Sequence, residues 1–245
     1  MHKEYHRWYS PHLQQEMPLV VYGHYGQPLL MFPTAAADCE EYERFGLIDA
    51  IRHHIEAGLV KIFSVNSINL QSWMNDQIHP ADKARRQVQY DRYIIDEVAP
   101  FMEYHCRTPG IALAVSGVSF GAFHAANTLF KHPERFTYLL AISGSYDIKP
   151  YCQGYYDDNI YFNNPVDYLS NLDDSALLDR IRRCSITLIT GQGAWEMPER
   201  TYQLSEILHR KGIPHHLDVW GQDVSHDWPW WCAMYDAYIP RLFGR

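Results

Sequence analysis

The stretch GIALAVSGVSFGAFHAA, Gly110 to Ala126, joins an apolar run to a small-residue helix through Gly117-Val118-Ser119-Phe120-Gly121. An apolar run with no polar alternation is the pattern of a central parallel strand buried on both faces. Beyond it, Ala122, Phe123, Ala125, Ala126, Leu129 and Phe130 continue at helical spacing until His132-Pro133. A chain that swings from strand to helix over one residue strains that residue, so the positions around it must be nearly free of side chain. Gly117 and Gly121 meet that need. Ser119 is then left with its hydroxyl lifted out of the sheet edge, facing the same space as the N–H groups of the helix N-terminus. The stretch predicts a nucleophile elbow.

Working outward, apolar runs alternate with helical patterns. PLVVYGHYGQPLLMFP reads as two strands, Leu19 to Tyr22 and Leu29 to Phe32, around a Gly-rich turn. A helix is predicted from Asp38 through Phe45, Ile48, Ile51 and Ile55 to about Gly58. LVKIFSV is a strand, and ARRQVQYDRYIIDEVAPFMEY a long helix with Val88, Ile94, Ile95, Val98 and Met102 inward and a kink at Pro100. TYLLAIS, SITLIT and HHLDVWG are further strands, with a helix from Pro198 to Gly212 between the last two. This alternation predicts an α/β fold with a mostly parallel central sheet and helices on both faces. A chain of 245 residues that is 47% hydrophobic can fill one such core, so a single domain over 1–245 is expected. Only Tyr146 to Leu172, long, polar and rich in Tyr and Asn, breaks the alternation; it reads as a lid-like or binding insertion.

A net charge of -8 with scattered Lys and Arg argues against a nucleic-acid partner. No window approaches a membrane span, and the N-terminus lacks the apolar run of a secretory signal, so no membrane partner and a cytoplasmic location are expected. The five cysteines are odd in number and form no CxxC pair, which suggests buried thiols rather than disulfides or zinc. Asp157-Asp158-Asn159 with Asn163-Asn164 matches no EF-hand spacing. His53-His54 and His215-His216 are adjacent pairs, which converge poorly on a strand or a helix. Neither a metal nor a cofactor is expected.

A hydroxyl nucleophile needs a base, and the base an orienting acid. On this fold the chain order is Ser, acid, His, with the His after the last strand, and VWGQDVSHDWPWW supplies His226 there. The acid belongs in the loop after SITLIT, where GQGAWEMPER offers Glu196; Asp223 and Asp173 are its rivals. Glu199, by contrast, is accounted for by the dipole of the helix it opens. The oxyanion donors should be the Phe120 N–H and one N–H from the loop after LLMFP, that of Ala35 or Thr34. Trp73, Trp195 and Trp228 are the candidate substrate-binding residues.

GVSFG at Ser119, GQGAWE at Glu196 and SHDWPWW at His226 give the whole chain a resemblance to the putative-esterase branch of the α/β-hydrolase superfamily. That branch includes esterase D-like enzymes, feruloyl esterases and mycolyltransferases, and a glutamate acid with a Trp-rich stretch after the His is similar to the last of these. The resemblance implies carboxylester chemistry on a small-molecule ester through an acyl-enzyme. It leaves open an acyltransferase with the same triad, or a non-catalytic binding protein on the same fold.

Overall fold

The computed structural model describes residues 1–244. Its strands are β1 (Lys3–Ser10), β2 (Gln15–Tyr22), β3 (Gln27–Phe32), β4 (Val60–Val65), β5 (Leu113–Val118), β6 (Phe136–Ile142), β7 (Ser185–Thr190) and β8 (His216–Val219). They form one eight-stranded sheet in the order β1-β2-β4-β3-β5-β6-β7-β8. Pairing is parallel from β4 to β8 and antiparallel where β2 meets β1 and β4.

β4 and β5 are buried along their whole length, as their mostly apolar sequence favours. Alternate residues of β5 feed two cores: Leu113 and Val115 face one side, Ala114 and Val118 the other. The first side is covered by α1 (Pro80–Tyr93), α2 (Phe120–Lys131) and α3 (Pro198–Arg210). The second is covered by α4 (Trp228–Phe243) and by three short helical turns between Glu41 and Glu56.

Two local expectations are corrected. The helix read from Asp38 to Gly58 is broken, because Gly46 takes φ 79° and restarts the chain in a new direction. The two strands around the Gly-rich turn are present as read, with β4 inserted between β2 and β3. The long helix is distorted before Pro100 rather than at it: Ile94–Val98 is a π-turn, and Pro100 sits in the first turn of Ala99–His105. Strand β1 went unread, since its polar alternation belongs to an edge strand with one face in water.

The Tyr146 to Leu172 segment is folded down as short helical turns rather than raised. Asn164, fully buried, accepts from the Ile148 N–H (3.0 Å) and donates to Asp147 (3.0 Å) and Asp167 (2.7 Å). These bonds satisfy the irregular backbone internally, which lets a polar sequence pack against the aromatic cluster of Trp73, Phe120 and Phe123.

Candidate active site

Ser119 follows β5 and precedes α2, and its backbone has φ 56° and ψ -121°, a conformation strained for any residue with a Cβ. The flanking glycines are there for space. A Cβ on Gly117 would overlap the Gly121 backbone, and a Cβ on Gly121 would overlap the Phe32 carbonyl at the end of β3. The strand, the turn and the loop after β3 can approach only because those two side chains are missing. Tyr42 locks the approach from below: its hydroxyl donates to the Phe32 carbonyl (2.6 Å) and accepts from the Val118 N–H (3.3 Å).

The His226 Nε2 lies 3.0 Å from the Ser119 Oγ. On its other side, the His226 Nδ1 is 3.5 Å from the Glu196 Oε2. The Glu196 carboxylate is 1% exposed. Burial pushes its carboxyl up, but the facing His226 imidazole and the hydrogen bonds from Ser143 and Thr190 outweigh burial and hold it below the usual carboxylate range. The loops that carry Glu196 and His226 are tied together by backbone: the His226 N–H donates to the Ala194 carbonyl (2.9 Å), and the Gly193 N–H to the Val224 carbonyl (2.8 Å). Three loops distant in sequence thus bring Ser119, His226 and Glu196 together at the C-terminal ends of β5, β8 and β7, where open parallel sheets hold their ligands.

One participant was missed. Ser143, directly after β6, donates to the Glu196 Oε1 at 2.5 Å and accepts from the Trp231 Nε1 at 3.2 Å. Its φ is 50°, and its N–H is fixed on the Ile189 carbonyl (2.7 Å). The only signal in sequence is a Ser-Gly pair closing the strand that follows the one before Ser119. Trp231 also packs edge-on against the His226 ring, 4.9 Å between centroids.

Of the rival acids, Asp223 and Asp173 are exposed and make no contact with His226 among the described residues. His124 lies behind the turn, bonded to the Asn69 Oδ1 (2.8 Å), and burial pushes its imidazole down to about 3. The Phe120 N–H opens α2 and has no intrahelical acceptor. Thr34 is corrected as an oxyanion donor, because its N–H (2.8 Å) and hydroxyl (2.6 Å) are both taken by the buried Glu41 carboxylate. Ala35, its neighbour, packs against the Phe120 cluster, and its N–H makes no hydrogen bond among the described residues.

The tryptophans are placed differently from expectation. Trp73 is 0% exposed, with its Nε1 on the Gln87 Oε1 (3.0 Å), so it supports the floor beneath Phe120 rather than lining open space. Trp228 is stacked on Phe45 at 4.6 Å and edge-on to Tyr42, as part of the α4 core. Trp195 is 86% exposed beside Glu196 and alone of the three is free to meet a ligand. His53 and His54 do converge, both on Asp236 (3.2 and 3.0 Å), because the short helical turn Arg52–Glu56 that contains them packs against α4.

Comparison with known proteins bears on the family and the fold. Residues 64–240 match the family described as putative esterase. No curated protein matches. A ferulic acid esterase superposes with TM-score 0.78 at 17% identity, covering 99% of this chain and 98% of its own. MPT51 of Mycobacterium tuberculosis gives 0.75 at 14% identity, covering 100% and 98%. A fluorophosphonate-binding serine hydrolase of Staphylococcus aureus gives 0.71 at 14%, covering 100% and 99%. These structures share the α/β-hydrolase fold, and the chain belongs to the putative esterase family.

Proposed function

We propose that the protein is a serine carboxylester hydrolase. The observation that carries the proposal is the Ser119 Oγ, on a backbone with φ 56°, 3.0 Å from the His226 Nε2. His226 takes the Ser119 proton as the hydroxyl attacks the ester carbonyl, then delivers it to the leaving alcohol. Glu196 keeps the imidazole in the tautomer with its proton on Nδ1 and balances the imidazolium that forms. The tetrahedral oxyanion is held by the N–H groups of Phe120 and Ala35. Water activated by His226 then attacks the acyl-enzyme, releasing the acid and restoring Ser119. The non-catalytic alternative lacks support, since nothing about a binding protein would require a strained serine aligned with a base and a buried acid.

Labelling with a fluorophosphonate tests the nucleophile. The parent should label once per chain at Ser119 and the Ser119→Ala variant not at all; equal labelling of both would overturn the assignment. Competing alcohols added to the turnover assay separate a hydrolase, which yields mainly free acid, from an acyltransferase.

A further inference from the structure

Outside the catalytic cluster, edge strand β1 concentrates ligand-type side chains. Its residues alternate, with Lys3, Tyr5, Arg7 and Tyr9 exposed and Glu4, His6 and Trp8 turned inward. The inward face is covered by the helix Ala99–His105, whose Phe101 packs on both His6 (4.9 Å) and Trp8 (5.3 Å). That helix ends at His105, whose ring meets His6 edge-on at 5.3 Å. Between these rings the Glu4 Oε2 lies 3.1 Å from the His6 Nε2 and 3.2 Å from the His105 Nε2. The other oxygen, Oε1, lies 2.6 Å from the His2 Nε2.

We propose that Glu4, His6 and His105 form a binding site for one divalent metal ion of the zinc type. Two imidazole nitrogens and one carboxylate oxygen, with a fourth position left to water, are a donor set that suits Zn²⁺. The spacing suits it as well. Bonds of about 2.0–2.1 Å to a tetrahedral ion place neighbouring donors about 3.3 Å apart. The Glu4–His6 and Glu4–His105 edges, at 3.1 and 3.2 Å, already have that length. One ligand atom from each of Glu4, His6 and His105 falls within 4.8 Å of the other two. The His105 Nδ1 is buried without a partner, so Nε2 is the ring nitrogen directed at polar neighbours.

Charge makes Glu4 the decisive member. Phe63 packs edge-on to His105 at 5.6 Å, and the buried Lys61 Nζ lies 5.9 Å from the Phe63 ring, so imidazoles alone would hold a cation against a nearby ammonium. The carboxylate offsets that repulsion. Occupancy would clamp the N-terminal strand to the helix Ala99–His105, joining segments about a hundred residues apart, and would leave the Ser119 site untouched.

The experiment uses tag-free full-length protein, stripped with chelator and then titrated with Zn²⁺ by calorimetry, with bound metal counted by elemental analysis. One zinc per chain is expected, together with a rise of several degrees in the unfolding midpoint at excess zinc. Glu4→Gln and His105→Ala should each weaken binding at least about 10-fold. A His53→Ala, Asp236→Asn double variant should bind as the parent does. If His105→Ala does not fold, His6→Gln takes its place. The proposal fails if no zinc is retained, if Glu4→Gln binds like the parent, or if zinc is lost instead from the His53, Asp236 variant.

Discussion

Replacing Glu196 by Gln is expected to lower kcat for a short p-nitrophenyl ester by roughly 10²- to 10³-fold, with KM nearly unchanged. The side chain is 1% exposed and its oxygens are specialised: Oε1 accepts from Ser143 at 2.5 Å, while Oε2 faces Thr190 (3.3 Å) and the His226 Nδ1 (3.5 Å). Glutamine fits the same volume. Its carbonyl oxygen keeps the Ser143 bond, which turns its amide donors toward Nδ1. A donor there selects the imidazole tautomer with its proton on Nε2, aimed at Ser119, and that tautomer cannot take the serine proton. Each decade of rate is 1.36 kcal/mol, so the loss corresponds to about 2.7–4 kcal/mol of transition-state stabilisation. The long 3.5 Å approach to Nδ1 places the expectation below the 10⁴-fold seen when an acid in tighter contact is amidated.

The same variant carries a signature in pH. The Glu196 carboxyl is depressed below its ordinary 4.5, so it contributes stability that is present above that value and lost as pH falls through the depressed one. Between neutral pH and pH 4 and below, the parent should lose that increment and the Gln variant should not. The assay is steady-state kinetics at neutral pH with urea midpoints at pH 7 and across the acid range. Turnover within about three-fold of the parent would remove Glu196 from the triad. A rate loss matched by collapse of the urea midpoint at pH 7 would make its role structural.

Three other substitutions test the surrounding structure. Ser143→Gly preserves the φ of 50° but deletes the hydroxyl that holds Glu196; losing a bond to a charged group of about 1.5–3 kcal/mol should reduce kcat by about 10- to 100-fold at constant KM. A parent-like kcat would make that contact dispensable. Gly117→Ala pushes a methyl into the Gly121 backbone, and should cost about 2–3 kcal/mol or more in urea unfolding together with loss of fluorophosphonate labelling; unaltered labelling would refute the close-approach argument. Lys83→Met removes a fully buried ammonium that donates to the Trp73 carbonyl (3.3 Å), Asp76 (3.2 Å) and the Tyr151 carbonyl (3.2 Å). Two carbonyls left unpaired should cost about 2–4 kcal/mol and speed hydrogen exchange in residues 148–152, and unchanged exchange would show that the segment is held by other contacts.

The reach of sequence reasoning differs from residue to residue. Ser119, Glu196 and His226 were legible because each occupies a fixed place relative to a strand end, and strands buried on both faces announce themselves by unbroken apolar runs. Ser143 was not, because its importance comes from β6 lying between β5 and β7 in space, an adjacency created only by the pairing order. The long helical stretch misled for a related reason: Val88 in α1 and Ile95 in the π-turn after it are half-buried, whereas Lys83 and Gln87 are buried with partners from the Trp73 loop. A pattern of apolar residues cannot show a polar side chain whose hydrogen bonds are supplied by a distant segment.

By itself, then, the sequence determined the strand-turn-helix at Ser119, because glycine spacing and apolar runs are local matters of sterics and burial. It also determined the loops on which Glu196 and His226 sit, because chain order on a parallel sheet fixes which strand end each loop leaves. Only the tertiary structure decided that the Thr34 amide is occupied by Glu41, that Trp73 is buried while Trp195 is open, and that Glu196 is held from behind by Ser143. Those outcomes depend on distances between segments far apart in the chain, which are set by how two cores pack against the two faces of one sheet.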